Sequence, residues 1–223
     1  MAQIAEELFL LLVDNASGQP GLDETRRAHA LAAATLLDVA YACRVRPAVD
    51  GEPAPPGTLV ALAVAGPVDP LTAPAVDYIG RAPRRPGQAI KVLGRSAERR
   101  LAEHLERTGQ IRRVSVRSSA LRRRTSTSPT DRRRVGPARD ALLAALFERR
   151  PPSAATAAII TVLHAADGLG ALLSLNDRGW RWVHARAGEI AAGSWLDESP
   201  TGLAEVNLAV TASAVRQALA ELT

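Results

Sequence analysis

From His29 to Cys43 the chain reads HALAAATLLDVAYAC, and Asp38 is the one acidic side chain in that run. A helix that is apolar on almost every side has no face to give to water, so this segment is expected as the core helix at the centre of a bundle. Asp23, just upstream, is a candidate N-cap for it. Composition agrees: 47% of residues are hydrophobic but only 3% are aromatic, and Ala, Leu and Val dominate. That balance suits close-packed helices better than sheets built on aromatic and β-branched faces. The expected fold class is therefore mainly α: a central helical bundle surrounded by amphipathic helices, with one or two short β-hairpins, in a single domain spanning residues 1–223.

Around the core helix the chain divides readily. Glu6 to Val13 reads as a short apolar helix closed by a polar turn, with Asp14, Asn15, Gly18 and Pro20 as punctuation. Val45–Val49 and Thr58–Ala65 read as short strands around DGEPAPPG, a turn or flap. Pro70–Arg81 is weakly helical, PRRPGQ is expected to break it, and Ser96–Arg107 is an amphipathic helix ended by Gly109. The stretch IRRVSVRSSALRRRTSTSP reads as a hairpin or loop at about 111–130, and Val135–Phe147 as the next helix. From Ser153 onward the pattern is helical to the end, including GLGALLSLN and the RGWRWVHARAGEIAAG that follows it. In the last segment Leu203, Val206, Val210, Ala214, Ala218 and Leu222 step by three or four, so this stripe is expected to pack inward with Arg216, Gln217 and Glu221 outward.

Charge is unevenly spread. Residues 112–150 hold 12 arginines against Asp131, Asp140 and Glu148, a local charge of +9, whereas the whole chain carries +5 and the remainder therefore −4. A positive field concentrated in this way points to a surface that meets anions. Lys91 is the only lysine, and the arginine and alanine bias suggests a GC-rich genome, with a bacterial source as the expectation. Cys43 is the single cysteine, expected as a small core residue in a reducing, cytoplasmic setting. No apolar run reaches the roughly 18 residues of a spanning helix, and the apolar start follows Glu6 and Glu7 where an export signal needs positive charge, so neither a membrane span nor export is expected.

Signals for catalysis are missing. His29, His104, His164 and His184 lie on separate segments with no metal-ligand spacing, so no metal and no cofactor is expected. There is no glycine-rich phosphate loop, no nucleophile elbow and no thiol signature, so the chain is expected not to be an enzyme. His164 and Asp167 stand one helical turn apart and could form an oriented base; a helix-end histidine is the favoured reading. Trp180 and Trp182 cannot share a helix face, and packing or interfacial roles are expected of them.

Laid end to end, these segments resemble the Golgi phosphoprotein 3 family over nearly the whole length. The likeness rests on Glu6-Glu7-Leu8-Phe9-Leu10-Leu11-Leu12 before a turn, the core helix ending Leu36-Leu37-Asp38-Val39-Ala40, and Arg100-Leu101-Ala102 leading to Leu105 and Gly109. Leu163-His164-Ala165-Ala166-Asp167 and the closing amphipathic helix extend it. The resemblance implies a helical bundle with a protruding β-hairpin that aids membrane insertion or oligomerisation. It also implies a shallow basic pocket for phosphatidylinositol 4-phosphate and, in eukaryotic members, an adaptor role that captures cytosolic tails of Golgi glycosyltransferases. Against the family's pocket, Asp23 stands in place of a tryptophan and Ala32 and Glu98 in place of arginines, while Arg95 matches.

The expected function is peripheral binding to an anionic phospholipid membrane at the inner face of the cell. Candidate lipid-binding residues are Arg95 from the resemblance; Arg99, Arg26 and Arg27 on charge; and Arg122, Arg123 and Arg124 in the hairpin, with Arg112, Arg113 and Arg117 beside them. The hairpin tip, Ser118-Ser119-Ala120-Leu121, is too polar for deep insertion. Two alternatives use the same arginines: contact with the backbone of duplex nucleic acid, disfavoured because no aromatic residue lies between Ile111 and Leu146 to stack on a base, and an adaptor for acidic tails of membrane proteins. A homo-oligomer is possible under each.

Overall fold

The computed structural model describes residues 3–14, 21–119, 122–131, 133–198 and 202–222, with 114–119, 122–126 and 197–198 described by backbone alone. Helix α1 spans Gln3–Asp14 and α2 spans Glu24–Tyr41. Asp23 caps α2 by accepting the Thr25 and Arg26 N–H groups, both at 3.0 Å, as its position in the sequence foretold. Every residue from Ala30 to Ala40 is buried, which is the burial an all-round apolar helix requires. The carboxylate in that interior, Asp38, accepts the N–H groups of Ile4 and Ala5 at 2.9 Å each and so caps α1 from inside α2. Burial pushes the Asp38 carboxyl up to about 7, while the two N–H bonds pull the other way.

After α2 the chain turns at Cys43, whose φ of 54° lies in the left-handed region. Cys43 is thus a half-buried turn residue and not the core helix residue expected, because the helix stops two positions before it. Strands β1 (Val45–Pro47) and β2 (Leu59–Ala61) pair antiparallel with Arg46 opposite Val60, and the proline-rich segment between them forms the flap. Helix α3 covers Ala73–Gly80 and α4 covers Pro86–Arg107. The expected break falls at residues 81–85, but it is shorter than PRRPGQ and the next helix starts earlier than expected: α4 begins ten residues before Ser96. Pro86 occupies the first turn, where a missing N–H costs nothing and a fixed φ suits the helix.

Gly109, at φ 72°, turns the chain into β3 (Ile111–Ser119), which pairs antiparallel with β4 (Arg122–Pro129), Ile111 opposite Pro129. The hairpin expected at about 111–130 is therefore present, while its tip residues 120 and 121 lie outside the described residues. Helices α5 (Val135–Phe147), α6 (Ala154–Ala165), α7 (Asp177–Ala191), α8 (Trp195–Glu198) and α9 (Leu203–Ala220) complete the chain. GLGALLSLN is a single 3-10 turn, Leu169–Ala171, followed by irregular chain, where a helix was expected. Asp167 has already left the helical region at φ 49°, and Leu169, in the 3-10 turn, and Leu172 and Leu173, after it, are buried without forming an α-helix.

One hydrophobic cluster runs from Ile4 to Leu219 and takes in all the long helices. The fold is mainly α with two small two-stranded sheets. No described helix is long and apolar enough to cross a membrane.

The closing helix reverses an expectation over its first two turns, while at its end Ala218 and Leu222 pack against the core and Gln217 and Glu221 are exposed, as expected. Leu203, Val206 and Val210 are 80%, 44% and 54% exposed, whereas Leu208, Thr211, Ala212, Val215 and Leu219 face the core. Asn207 decides the orientation: its side-chain amide donates to the carbonyls of Ala40 at 2.6 Å and Val45 at 2.9 Å, tying α9 to the end of α2 and the start of β1. With Asn207 turned inward, its neighbour Val206 and the residues in line with it point out.

Candidate functional site

Helix α4 carries Lys91, Arg95 and Arg99 four residues apart, a spacing that sets side chains on one face of a helix. Gly94 lets that face lie close to α2: a Cβ there would stand 3.4 Å from the Ala28 carbonyl oxygen and from the His29 ring. Above this contact opens a cleft of about 650 Å³. Its walls are Glu24, Arg27 and His29 of α2, the three α4 cations with Glu98, Phe9 and Val13 of α1, and Arg113 and Thr127 at the root of the hairpin. Five cations face two carboxylates, Glu24 and Glu98, which leaves the cleft positive by three charges.

Neutralisation within the cleft is partial. Arg27 donates from Nε to Glu98 at 3.0 Å, Arg99 lies 3.6 Å from Glu103, and Arg113 is paired with Glu106, which holds its guanidinium pKa above the ordinary value. Lys91 and Arg95 have no carboxylate within ion-pair distance among the described residues. His29 adds a ring nitrogen, Nδ1, that is buried without a hydrogen-bond partner.

Lys91 and Arg95 also line a second cleft on the other side of their ridge, of about 750 Å³. Arg85, at the start of α4, joins them there, likewise without an acidic partner. The remaining walls are Pro55 to Thr58 of the flap, Val92, and Ala214, Gln217, Ala218, Glu221 and Leu222 from the end of α9. Three cations face one carboxylate, Glu221.

The structure thus gathers three of the expected site residues, Arg27, Arg95 and Arg99, in the first cleft. Arg26 is not with them: its guanidinium lies 3.3 Å from Asp23 and 3.6 Å from Asp167, outside the cleft lining. The side chains of Arg117, Arg122, Arg123 and Arg124 lie outside the described residues, while Arg112 is exposed at the hairpin root. Arg85 and Lys91 escaped the sequence reading because the segment holding Arg85 was taken for a breaker. The four-residue spacing of Lys91, Arg95 and Arg99 was the signal that could have found Lys91.

The basic window is also less charged in three dimensions than along the chain. Arg134 donates to the buried Glu6 at 2.6 Å, and Glu6 lies 3.4 Å from His104 as well. Arg139 reaches Asp14 at 3.3 Å, Arg149 reaches Glu189 at 2.8 Å, and Arg150 reaches Glu148 at 2.8 Å. Together with Arg113, five arginines of the window are held by carboxylates, four of which come from outside it. Four carboxylates of the body are thus engaged by arginines of the window, whereas Lys91 and Arg95 on α4 have no carboxylate partner among the described residues.

Among the described residues no cluster of three or more His, Cys, Asp or Glu side chains could hold a metal ion. His164 ends α6 half-buried with its ring 5.8 Å from that of His184. Burial, then His184 and Arg216, lower its pKa, while Asp167 acts in the opposite sense. The Asp167 carboxylate itself pairs with Arg26. Trp182 is 40% exposed and stacks on Phe147 at 5.8 Å, and Trp180 is half-buried against His184.

A family model, Golgi phosphoprotein 3 (GPP34), matches residues 4–222. Among curated proteins none matches the chain.

Proposed function

Because the chain belongs to the Golgi phosphoprotein 3 family, we propose that it is a peripheral membrane-binding protein that docks on anionic phospholipid at the inner face of the cell membrane through the basic ridge of α4. The reading rests on one observation above the others: Arg85, Lys91 and Arg95, three cations with no acidic partner among the described residues, line adjoining clefts on either side of that ridge. Cations whose own protein does not compensate them are the ones free to exchange water and counterions for phosphate. Each contributes about 1 kcal/mol near an anionic bilayer, so three to five acting together give binding that is useful and salt-sensitive.

The docking reads charge and not one head group. At the positions that correspond to the family's phosphoinositide pocket, Asp23 spends its carboxylate on capping α2, Glu98 engages Arg27, and Ala32 is fully buried in the core. Of that set Glu98 and Arg95 line a cleft, and Arg95 is the one cation among them. Binding is the whole of the activity in this reading, with no chemical step.

Co-sedimentation with vesicles of phosphatidylcholine alone, or with phosphatidylglycerol added, tests it. Binding to the acidic vesicles that weakens between 0.1 and 0.5 M salt is expected, with the Arg85→Ser/Lys91→Ser/Arg95→Ser variant at least tenfold weaker. Equal behaviour towards both vesicles would exclude the reading. Preference for duplex DNA over acidic vesicles in direct competition would replace it with nucleic-acid binding.

A further inference from the structure

The second cleft does not end at α9. Gln217 and Ala214, which form its wall, continue the line of Leu203, Val206 and Val210 along the same side of the helix, since steps of three, four, four and three residues keep to one face. The result is one outward stripe: aliphatic over its first two turns, then running into a cleft lined by uncompensated cations. Among the described residues nothing covers the aliphatic part. Isolated exposed aliphatic residues are ordinary, but three in register on an 18-residue helix, abutting a basic cleft, form an amphipathic surface with a direction.

We propose that Leu203, Val206 and Val210 enter the boundary between head groups and acyl chains of an anionic bilayer, while Arg85, Lys91 and Arg95 remain at the level of the phosphates. This rests on the anionic-lipid reading above and adds an apolar element to it, where the sequence pointed to electrostatic docking alone. Charge complementarity selects the occupant. A bilayer offers negative head groups directly above an apolar layer, in the order that cleft and stripe require. A second copy of the chain centred on the stripe would bring two sets of uncompensated cations towards each other.

Vesicle binding by the wild type and by Leu203→Ser/Val206→Ser/Val210→Ser tests the proposal. All three side chains are exposed, so the variant is expected to fold normally, checked by its helical circular dichroism. The expected result is acidic-vesicle binding about tenfold or more weaker in the variant at 0.15 M salt. A solvent-sensitive dye on Val206→Cys, in a Cys43→Ser background, should shift its emission to the blue on acidic vesicles. Equal binding by wild type and variant, or an unshifted dye on bound protein, would overturn the proposal and leave electrostatic docking intact. A wild type with no preference for acidic vesicles would overturn both readings. A dimeric wild type and a monomeric variant without vesicles would show a second copy to be the occupant and also overturn it.

Discussion

Arg27 and Glu98, 71 residues apart in sequence, meet across the floor of the first cleft with Nε donating to the carboxylate at 3.0 Å. Both side chains are about one-third exposed, so the pair is screened and contributes little to stability. Its effect is on the field of the cleft, where Glu98 holds back one of the cations that could meet a ligand.

Glu98→Gln is therefore expected to strengthen acidic-vesicle binding by about fivefold, the equivalent of one added positive charge near the bilayer, and to steepen its salt dependence. Vesicle titrations at 0.1 and 0.3 M salt measure this. Unchanged binding would exclude the first cleft from the docking surface.

Arg26→Ser should leave vesicle binding within about twofold of the wild type, because this guanidinium is already shared between Asp23 and Asp167 outside the cleft lining. Side by side, Arg26→Ser and Arg95→Ser separate position from mere charge.

Asp38 gives a prediction about stability. Asp38→Ala strands the Ile4 and Ala5 N–H groups in the interior and should cost about 1–3 kcal/mol in urea unfolding. The pH dependence has a definite sign. A carboxyl whose pKa rises from 3.8 to about 7 on folding binds more protons in the native state, so its contribution is fullest below about pH 4 and declines as pH rises towards 7. The gap between wild type and Asp38→Ala should thus be wider at pH 5 than at pH 8.

His164 acts in the opposite direction. Its pKa falls on folding, so the unfolded chain takes up protons first and stability is lost as pH drops below about 6.5. His164→Gln should reduce that acid loss by no more than about 1 kcal/mol, since half-exposure of the ring discounts the effect. Unfolding curves at pH 5 and 7 provide the comparison.

Glu6 ties the root of the hairpin to the body through Arg134 and His104. Removing its charge in Glu6→Gln should lower stability by about 1–3 kcal/mol, less than a fully buried pair because the Arg134 side chain is about one-third exposed. Amide exchange in β3 and β4 should quicken with it. Hydrogen exchange read by mass spectrometry distinguishes this local loosening from global unfolding.

What the sequence revealed depended on how many arrangements each pattern allows. Helix α2 was legible because an all-round apolar run has one place to go, and the hairpin because two polar β-like runs flank a short turn. Helix α9 was read inside out over its first two turns, while Ala218 and Leu222 do pack against the core. Leu203, Val206 and Val210 form a regular stripe, but so do Leu208, Thr211, Ala212, Val215 and Leu219, and periodicity alone does not choose between them. The choice came from Asn207 reaching the end of α2, a contact across more than 160 positions. In the site, Arg27, Arg95 and Arg99 were found from charge and resemblance. Arg85 lay in a segment taken for a breaker, and the paired state of Arg134, Arg139 and Arg149 depends on carboxylates brought close only by folding.

The alanines of α2 bear on how a ligand is met. Ala30, Ala32, Ala33, Ala34 and Ala40 are fully buried, so the spacing between neighbouring helices is fixed by methyl groups with almost no rotameric play. A frame of that kind does not close around what it binds. The backbone positions that carry Arg85, Lys91 and Arg95 are set before any ligand arrives, so adjustment falls to their long side chains and to the softer partner, a fluid sheet of head groups.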